Sequence, residues 1–398
     1  MKYNAVYGQS GGPTSVINSS LYGVIEEVKK HEEIETLFLM HNGIKGLIND
    51  DLKDYREIPQ NEIDLLTQTP SAICGSVRHK LASFEENDEE YQKIVNVLKE
   101  HNIKYIYLNG GNDSMDTGKK LFNYFKKINF DCKVIGIPKT IDNDLILTDH
   151  TPGYPSSAKF IANVIKSISY DNDCYIKGRV NIVEIMGRDA GWLTASSALA
   201  YPYGPDLIYV PEIYFDANKF LEDVKTIYEK KHRCLVAVSE GIRTKDNKFI
   251  FTQKAKDVFS HQQLGGVGVY LASLVEEKLH YSTRGIELSL LQRCYAQTAS
   301  KNDIDEAIEC GRKAVQYSLN GLTGIMVTME RKDNKIEYNY NSLEKIANSI
   351  KFLPRNMINE KGNNVSPLFF EYASILLNKD NDDKYENGIL KFSKKNYF

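Results

Sequence analysis

The sequence predicts an α/β fold whose mainly parallel sheets are covered by helices on both faces. Two observations carry this reading. Short apolar runs alternate with helical patterns from the first residues, and glycine-rich or polar turns follow those runs directly. Alternation of this kind buries a parallel sheet beneath its own crossover helices. A third observation is length, since 398 residues suit two such domains, or one large unit with insertions.

Asn4–Tyr7 reads as the first strand. The stretch TSVINSSLYGVIEEVKK then sets Val16, Ile17, Leu21, Val24, Ile25 and Val28 at helical spacing. Glu35–Met40 is the next strand. In YQKIVNVLKEH the apolar positions Ile94, Val95, Val97 and Leu98 mark a helix, and the strand Tyr105–Leu108 runs into Asn109-Gly110-Gly111. Cys132–Pro138 is a strand stopped by its proline, and Arg179–Gly187 and Arg233–Gly241 supply two more. From Arg331 the chain turns polar, and RKDNKIEYN reads as a surface loop or hairpin.

Composition narrows the function. Hydrophobic residues at 42% and charged residues at 26% are ordinary for a globular protein, and a net charge of −3 gives no reason to expect nucleic acid. The six cysteines show no CxxC or CxxH spacing, which argues against structural zinc and a disulfide framework. The N-terminus lacks the apolar core of a signal peptide, and the longest apolar stretch, Val267–Val275, is too short to span a bilayer. The expectation is a cytoplasmic enzyme with no membrane partner.

The strand ends carry the chemistry. Gly11-Gly12, Gly110-Gly111, Asp142 with Asp144, Gly187-Arg188 and Glu240-Gly241 each follow an apolar run, where ligands of open α/β sheets collect. GQSGGPTS, Gly8–Ser15, is a phosphate-loop candidate that matches neither the Walker pattern nor G-x-G-x-x-G. PKTIDND, Pro138–Asp144, packs a cation, a hydroxyl and two carboxylates into one turn, and backbone alternation would send Asp142 and Asp144 the same way. Lys139, Thr140 and Asp142 are suited to neutralising, orienting and deprotonating in phosphoryl transfer. Arg188 in EIMGRDAGW suits a phosphorylated substrate through its planar fork, Glu240 suits sugar hydroxyls, and Arg284 and Arg293 add cations. One residue is out of place. Asp113 in GGNDS sets a carboxylate at a helix start, where an anion should otherwise bind.

Taken together and in order, SGGPTSVIN, GSVR, GGNDS, PKTIDND, RVNIVEIMGR, VSEG and TRGIELSLLQR resemble the phosphofructokinase family over roughly residues 3 to 330. VSPLFFEYASILL near the end is similar to the tail of its pyrophosphate-using branch. The resemblance implies two doubly wound α/β domains with the active site in the cleft between them. Residues 1–150 plus roughly 294–345 would hold the phosphoryl donor, and 151–293 plus roughly 346–398 the sugar phosphate.

By the same resemblance, Asp142 is the general base for the sugar 1-hydroxyl. Thr140, Ile141, Asp142, Met186, Gly187 and Arg188 would contact fructose 6-phosphate, together with Glu240, Arg284 and Arg293. Arg179 matches an arginine that family members lend to a neighbouring subunit, which implies a homodimer or homotetramer. Gly12 and Arg78 would lie on the donor side, with Mg²⁺ bridging donor oxygens. ATP users carry glycine where Asp113 and Lys139 stand here. The Asp113 carboxylate excludes a nucleotide α-phosphate by bulk and charge, and Lys139 neutralises a short diphosphate. The implied reaction is reversible phosphoryl transfer from inorganic pyrophosphate to fructose 6-phosphate.

Three departures from the family pattern qualify this. Asn112 replaces a metal-associated aspartate, so a metal contact there would run through water. Leu290 replaces a histidine of bacterial ATP users, with Tyr281 as a candidate substitute. Tyr22 and Glu26 stand where allosteric members have arginines, which predicts a non-allosteric enzyme. The alternatives are an ATP-dependent enzyme of this fold and a non-catalytic regulatory subunit; intact Thr140, Asp142, Arg179 and Arg188 argue against the second.

Overall fold

The structure is a computed structural model that describes residues 2–252, 264–333 and 335–377, and beyond them 384–386, 389–390 and 397. Its larger sheet is built from β1 (Tyr3–Gln9), β2 (Ile34–Met40), β3 (Leu52–Asp54), β4 (Ile103–Gly110) and β5 (Lys133–Pro138). A smaller sheet follows, from β6 (Val180–Ile185), β7 (Leu207–Tyr209), β8 (Cys234–Ser239) and β9 (Thr283–Glu287). The chain then returns to the first sheet with β10 (Ile325–Lys332) and β11 (Lys335–Ser342). The strand orders are β11-β10-β5-β4-β1-β2-β3 and β7-β8-β6-β9.

The strands of the small sheet are all parallel, as are β2-β1-β4-β5-β10 of the large one. Antiparallel pairs close the large sheet at both edges, β2 with β3 and β10 with β11. The polar RKDNKIEYN stretch is thus a hairpin, turning at Asp333 with φ 48. Its charged edge strand suits a sheet margin, where exposed backbone invites unwanted pairing.

Alternation along the strands sorts side chains to two faces. Ala5, Tyr7, Tyr105, Tyr107, Ile135 and Val327 share one core cluster with Leu21, Val24 and Ala314, from the helices Ile17–Val28 and Lys301–Leu319. Val6, Ile106, Leu108 and Val134 share the opposite cluster with Ile94, Leu98 and Leu121, from the helices Glu89–Glu100 and Asn112–Lys127. Each fully buried aliphatic or aromatic side chain contributes roughly 1.5–3 kcal/mol. The second sheet is sandwiched likewise. Val183, Ile185 and Leu235 face the helix Tyr154–Asp173, and Val180, Val236 and Val238 face the helices Ala217–Lys231 and Val267–Leu279.

The C-terminal segment divides between the two layers. Leu343, Ile346 and Ala347 pack under the first sheet, while Leu353, Ile358, Phe369 and Leu376 join the second core. Most of the expected sugar-phosphate region beyond residue 377 lies outside the described residues. One carboxylate pins the crossing between layers. Asp303, at 0% exposure in the first turn of Lys301–Leu319, accepts from Gly153 N at 2.8 Å, Ser156 N at 3.0 Å and the Ser156 hydroxyl. It thereby caps the helix Tyr154–Asp173. Burial holds its carboxyl well up, to about 6.

Candidate active site

Four of the five strand-end turns converge on one cavity, while Glu240 of the fifth lines another. A cavity of about 300 Å³ is lined by Gly11, Gly12, Arg78, Asp113, Asp142, Asp144 and Arg188, with Ser10, Val77, His79, Asp189 and Ala190. Strands β1, β4, β5 and β6 all deliver their C-terminal turns to it. The two aspartates of TIDND do face the same way. Gly11, with φ 79, is in the left-handed region that glycine adopts freely, and a Cβ there would lie 3.2 Å from Lys139 Nζ.

Lys139 is the unusual member. It is only 3% exposed, and its ammonium donates to the Gly12 carbonyl at 2.6 Å. Its backbone N–H continues from β5 onto the Gly110 carbonyl at 3.1 Å, which locks the strand end beside GGNDS. Burial in a site of little water pushes its pKa down to about 8, and Asp142 and Asp144 partly offset that. Arg293 reaches the same loop, since a Cβ on Gly12 would lie 3.3 Å from its Nη1. Burial and then neighbouring Arg78 hold the Arg293 pKa below its ordinary value.

Asp142 is gripped locally. Its N–H donates to Thr140 Oγ1 at 3.1 Å, and Thr140 Oγ1 lies 3.5 Å from Asp142 Oδ2. Burial first, then the Glu240 carboxylate, raise its pKa above the carboxylate range, against the pull of Lys139. Asp144 is raised as well, by burial and by Asp142. The two carboxyls titrate as an interacting set.

A second cavity, of about 230 Å³, opens on the other side of β6. Met186, Glu240, Leu290, Gln292, Glu184 and Glu287 are among its walls. Gly187 N donates to Glu240 Oε1 at 3.3 Å, which links the ends of β6 and β8, and Met186 N donates to Gln292 Oε1 at 3.0 Å, on the short helix Leu291–Cys294. Asp142 lines the first cavity, and the Glu240 carboxylate, a wall of the second, is near enough to raise its pKa.

Not every expected residue comes here. Ile141 is buried in the second core, so its side chain is packing. Arg284 is exposed on the edge strand β9 and lines neither cavity. Arg179 and Tyr281 lie at the opposite, N-terminal ends of β6 and β9. There they line a separate open cavity of about 360 Å³ with Tyr175, Lys177, Tyr228 and His280. Tyr281 stacks on Tyr228 at 4.0 Å, so it does not replace the missing histidine at Leu290 within its own chain's site. Residue type alone suggested it; strand polarity places it a full strand length away.

Sequence reasoning set Asp144 beside Asp142 without giving it a role, and did not single out Gln292. Asp144 was in plain view in TIDND, and its role shows only through its partner, Asn112. Asn112 Nδ2 donates to Asp144 Oδ2 at 3.1 Å, while Asn112 Oδ1 is buried without a hydrogen-bond partner. An orphaned carbonyl oxygen beside the Asp144 carboxylate is a hard-oxygen donor set that fits Mg²⁺. Among the described residues no three His, Cys, Asp or Glu side chains cluster as a metal cage. Mg²⁺ does not require one, because it keeps several waters and binds through one or two carboxylates plus substrate phosphate.

Comparison with known proteins agrees with this geometry. The family model described as Phosphofructokinase matches residues 4–318. The pyrophosphate–fructose 6-phosphate 1-phosphotransferase of Halomonas elongata is 36% identical, over 99% of this chain and 96% of its own length. That of Rhodospirillum rubrum is 38% identical, over 96% of each. Among solved structures, the pyrophosphate-dependent phosphofructokinase from Nitrosospira multiformis aligns with a TM-score of 0.90 at 35% identity, covering 98% of this chain and 96% of that one.

Proposed function

The chain belongs to the phosphofructokinase family, and we propose that it transfers a phosphoryl group reversibly between inorganic pyrophosphate and the 1-hydroxyl of fructose 6-phosphate. The observation that carries this is the buried Lys139 ammonium donating to the carbonyl of Gly12, behind a cavity wall that also holds Asp113. A short diphosphate can be neutralised there; a nucleotide's further phosphate and ribose would meet a carboxylate.

In this reading the first cavity takes pyrophosphate, against Gly12 and Arg78 with the Lys139 ammonium behind Gly12, and the second takes the sugar, against Met186 and Glu240. Asp142, in the wall of the first cavity, accepts the proton of the 1-hydroxyl as its oxygen bonds to phosphorus, and the Thr140 hydroxyl braces its backbone N–H. Arg188 and Arg293 offset charge on the moving phosphoryl group, whose transfer is chiefly a matter of placement and electrostatics. Asp144 and the free oxygen of Asn112 would hold Mg²⁺, which when bound draws charge off the phosphate oxygens.

Arg179 supports a homo-oligomer in this proposal. It lines the separate cavity at the N-terminal ends of β6 and β9 rather than the two at the strand C-termini, and Tyr175 and the 97% exposed Ile176 beside it offer apolar surface to a second copy. Among the described residues no helix is long and apolar enough to cross a membrane, which suits a cytoplasmic place for the enzyme. The test is the initial rate of fructose 1,6-bisphosphate formation with Mg²⁺ and either pyrophosphate or ATP. Turnover with pyrophosphate alone supports the donor assignment, turnover with ATP alone overturns it, and no turnover with either favours a regulatory subunit.

A further inference from the structure

The segment that carries Asp142 and Asp144 has little regular structure of its own. Between the end of β5 and the helix Tyr154–Asp173 it forms bends and turns, with one isolated bridge, Thr140 to Gly153. Something else must fix the direction of its carboxylates. The fixing groups come from the far end of the chain.

Lys351 spends its whole ammonium on this segment. Its Nζ donates to Asn143 Oδ1 at 3.0 Å, to the Thr148 carbonyl at 3.2 Å and to the Asp149 carbonyl at 2.9 Å. Its backbone N–H donates to the Asp144 carbonyl at 2.7 Å. Tyr372 closes the other side: its hydroxyl accepts from Asn143 Nδ2 at 2.8 Å and donates to the Asp149 carbonyl at 2.8 Å. Asn143, the residue between the two aspartates, is fully buried in the left-handed region with φ 53, and both arms of its amide are taken. Asparagine tolerates that backbone region better than most residues do.

The anchor is itself anchored. Trp192 Nε1 donates to the Lys351 carbonyl at 2.9 Å, and the Lys351 ammonium lies 5.1 Å from the Trp192 ring centre. Arg331 donates to the Tyr372 carbonyl at 2.9 Å and to Asp149 Oδ1 at 2.7 Å. Burying an ammonium is a poor way to stabilise a core, where an apolar side chain of similar volume serves as well or better. Three directional bonds into one irregular segment, at Asn143, Thr148 and Asp149, are instead a way to specify its shape.

We propose that Lys351 and Tyr372 are positioning residues that hold the 142–144 turn so that Asp142 and Asp144 face the phosphoryl-transfer cavity. The inference rests on the phosphotransfer reading for its catalytic consequence, though not for its structural one. The C-terminal segment is then a working part of the site, acting through Asn143 without touching either substrate.

The test compares Lys351→Met and Tyr372→Phe with the full-length enzyme, by steady-state kinetics and by amide hydrogen exchange. Small displacements of reacting groups cost rate far more than affinity, so Lys351→Met should lower kcat at least about tenfold, with KM for both substrates within about threefold. Exchange should quicken over residues 140–149 and stay unchanged over β4. Tyr372→Phe, which keeps the ring and loses only the hydroxyl, should shift both readouts the same way by less. A kcat within about twofold of wild type in Lys351→Met, or unchanged exchange over 140–149, overturns the proposal. If Lys351→Met does not fold, Tyr372→Phe decides on the same criteria. A wild type silent with pyrophosphate would sink the assigned reaction, while the exchange comparison would still judge the clamp.

Discussion

Replacing Lys139 with methionine should make the protein more stable and nearly inactive. Burial lowers the pKa of this lysine from 10.5 to about 8, a difference worth about 3 kcal/mol at roughly 1.4 kcal/mol per unit. A base whose folded pKa lies below its unfolded one opposes folding wherever both states are charged. The penalty is therefore complete below about pH 8 and fades as pH rises toward 10.5. Methionine removes it but leaves the Gly12 carbonyl without its 2.6 Å donor, a loss of about 1–3 kcal/mol. The net gain at pH 7 should be roughly 1 kcal/mol; it should vanish near pH 9 and reverse to a loss of about 1 kcal/mol at pH 10. Losing a charge-assisted contact to pyrophosphate in a dry site should cost about 100-fold or more in kcat/KM for that donor. Urea unfolding at pH 7 and pH 10, with pyrophosphate-dependent formation of fructose 1,6-bisphosphate, measures both. Destabilisation by more than about 1 kcal/mol at pH 7, or kcat/KM within about threefold of wild type, would refute the reasoning.

Asp142→Ser should reduce kcat by about 10²- to 10⁴-fold while calorimetry still detects fructose 6-phosphate binding; unchanged kcat removes it as the base. The pH profile of kcat/KM should be a bell. Its acid limb lies above the ordinary aspartate value near 4, because burial and Glu240 raise Asp142, and its alkaline limb falls near 8 as Lys139 loses its proton. An acid limb at an unshifted aspartate value would count against Asp142. Asp113→Gly, alone and with Lys139→Gly, should raise turnover with ATP, and no rise in either variant would show that donor exclusion lies elsewhere. Asp303→Ala orphans the Gly153 and Ser156 N–H groups, at about 1–3 kcal/mol each, and should lower the urea midpoint accordingly.

Much of the site was legible because its parts are local in sequence. TIDND, GGNDS and EIMGR each follow an apolar run, so strand ends and chemistry coincide, and sheet parallelism brings them to one side. What stayed hidden depends on distance along the chain. Nothing near Asn143 in sequence announces Lys351 or Tyr372, and the antiparallel edge β3 is a three-residue strand without a strong pattern. Tyr281 shows the converse error, a plausible residue type on the wrong end of its strand. Asn112 shows a third limit: a substitution that weakens a metal reading on paper leaves an unpaired oxygen beside Asp144 in three dimensions.

The placement of β10 bears on how the polypeptide is made. This strand lies against β5 through Ile325 and Met326, yet nearly two hundred residues separate them, and the whole second sheet is encoded between. During synthesis the ribosome must deliver β6 to β9 before the first sheet can complete its order. Until then β5 stands as an open, apolar margin, the kind that captures strands from other nascent chains. The second layer has all its strands earlier, although Leu353, Ile358, Phe369 and Leu376 of its core follow later still. Newly made copies should therefore be most exposed to chaperones, and to one another, over the interval before Ile325 emerges.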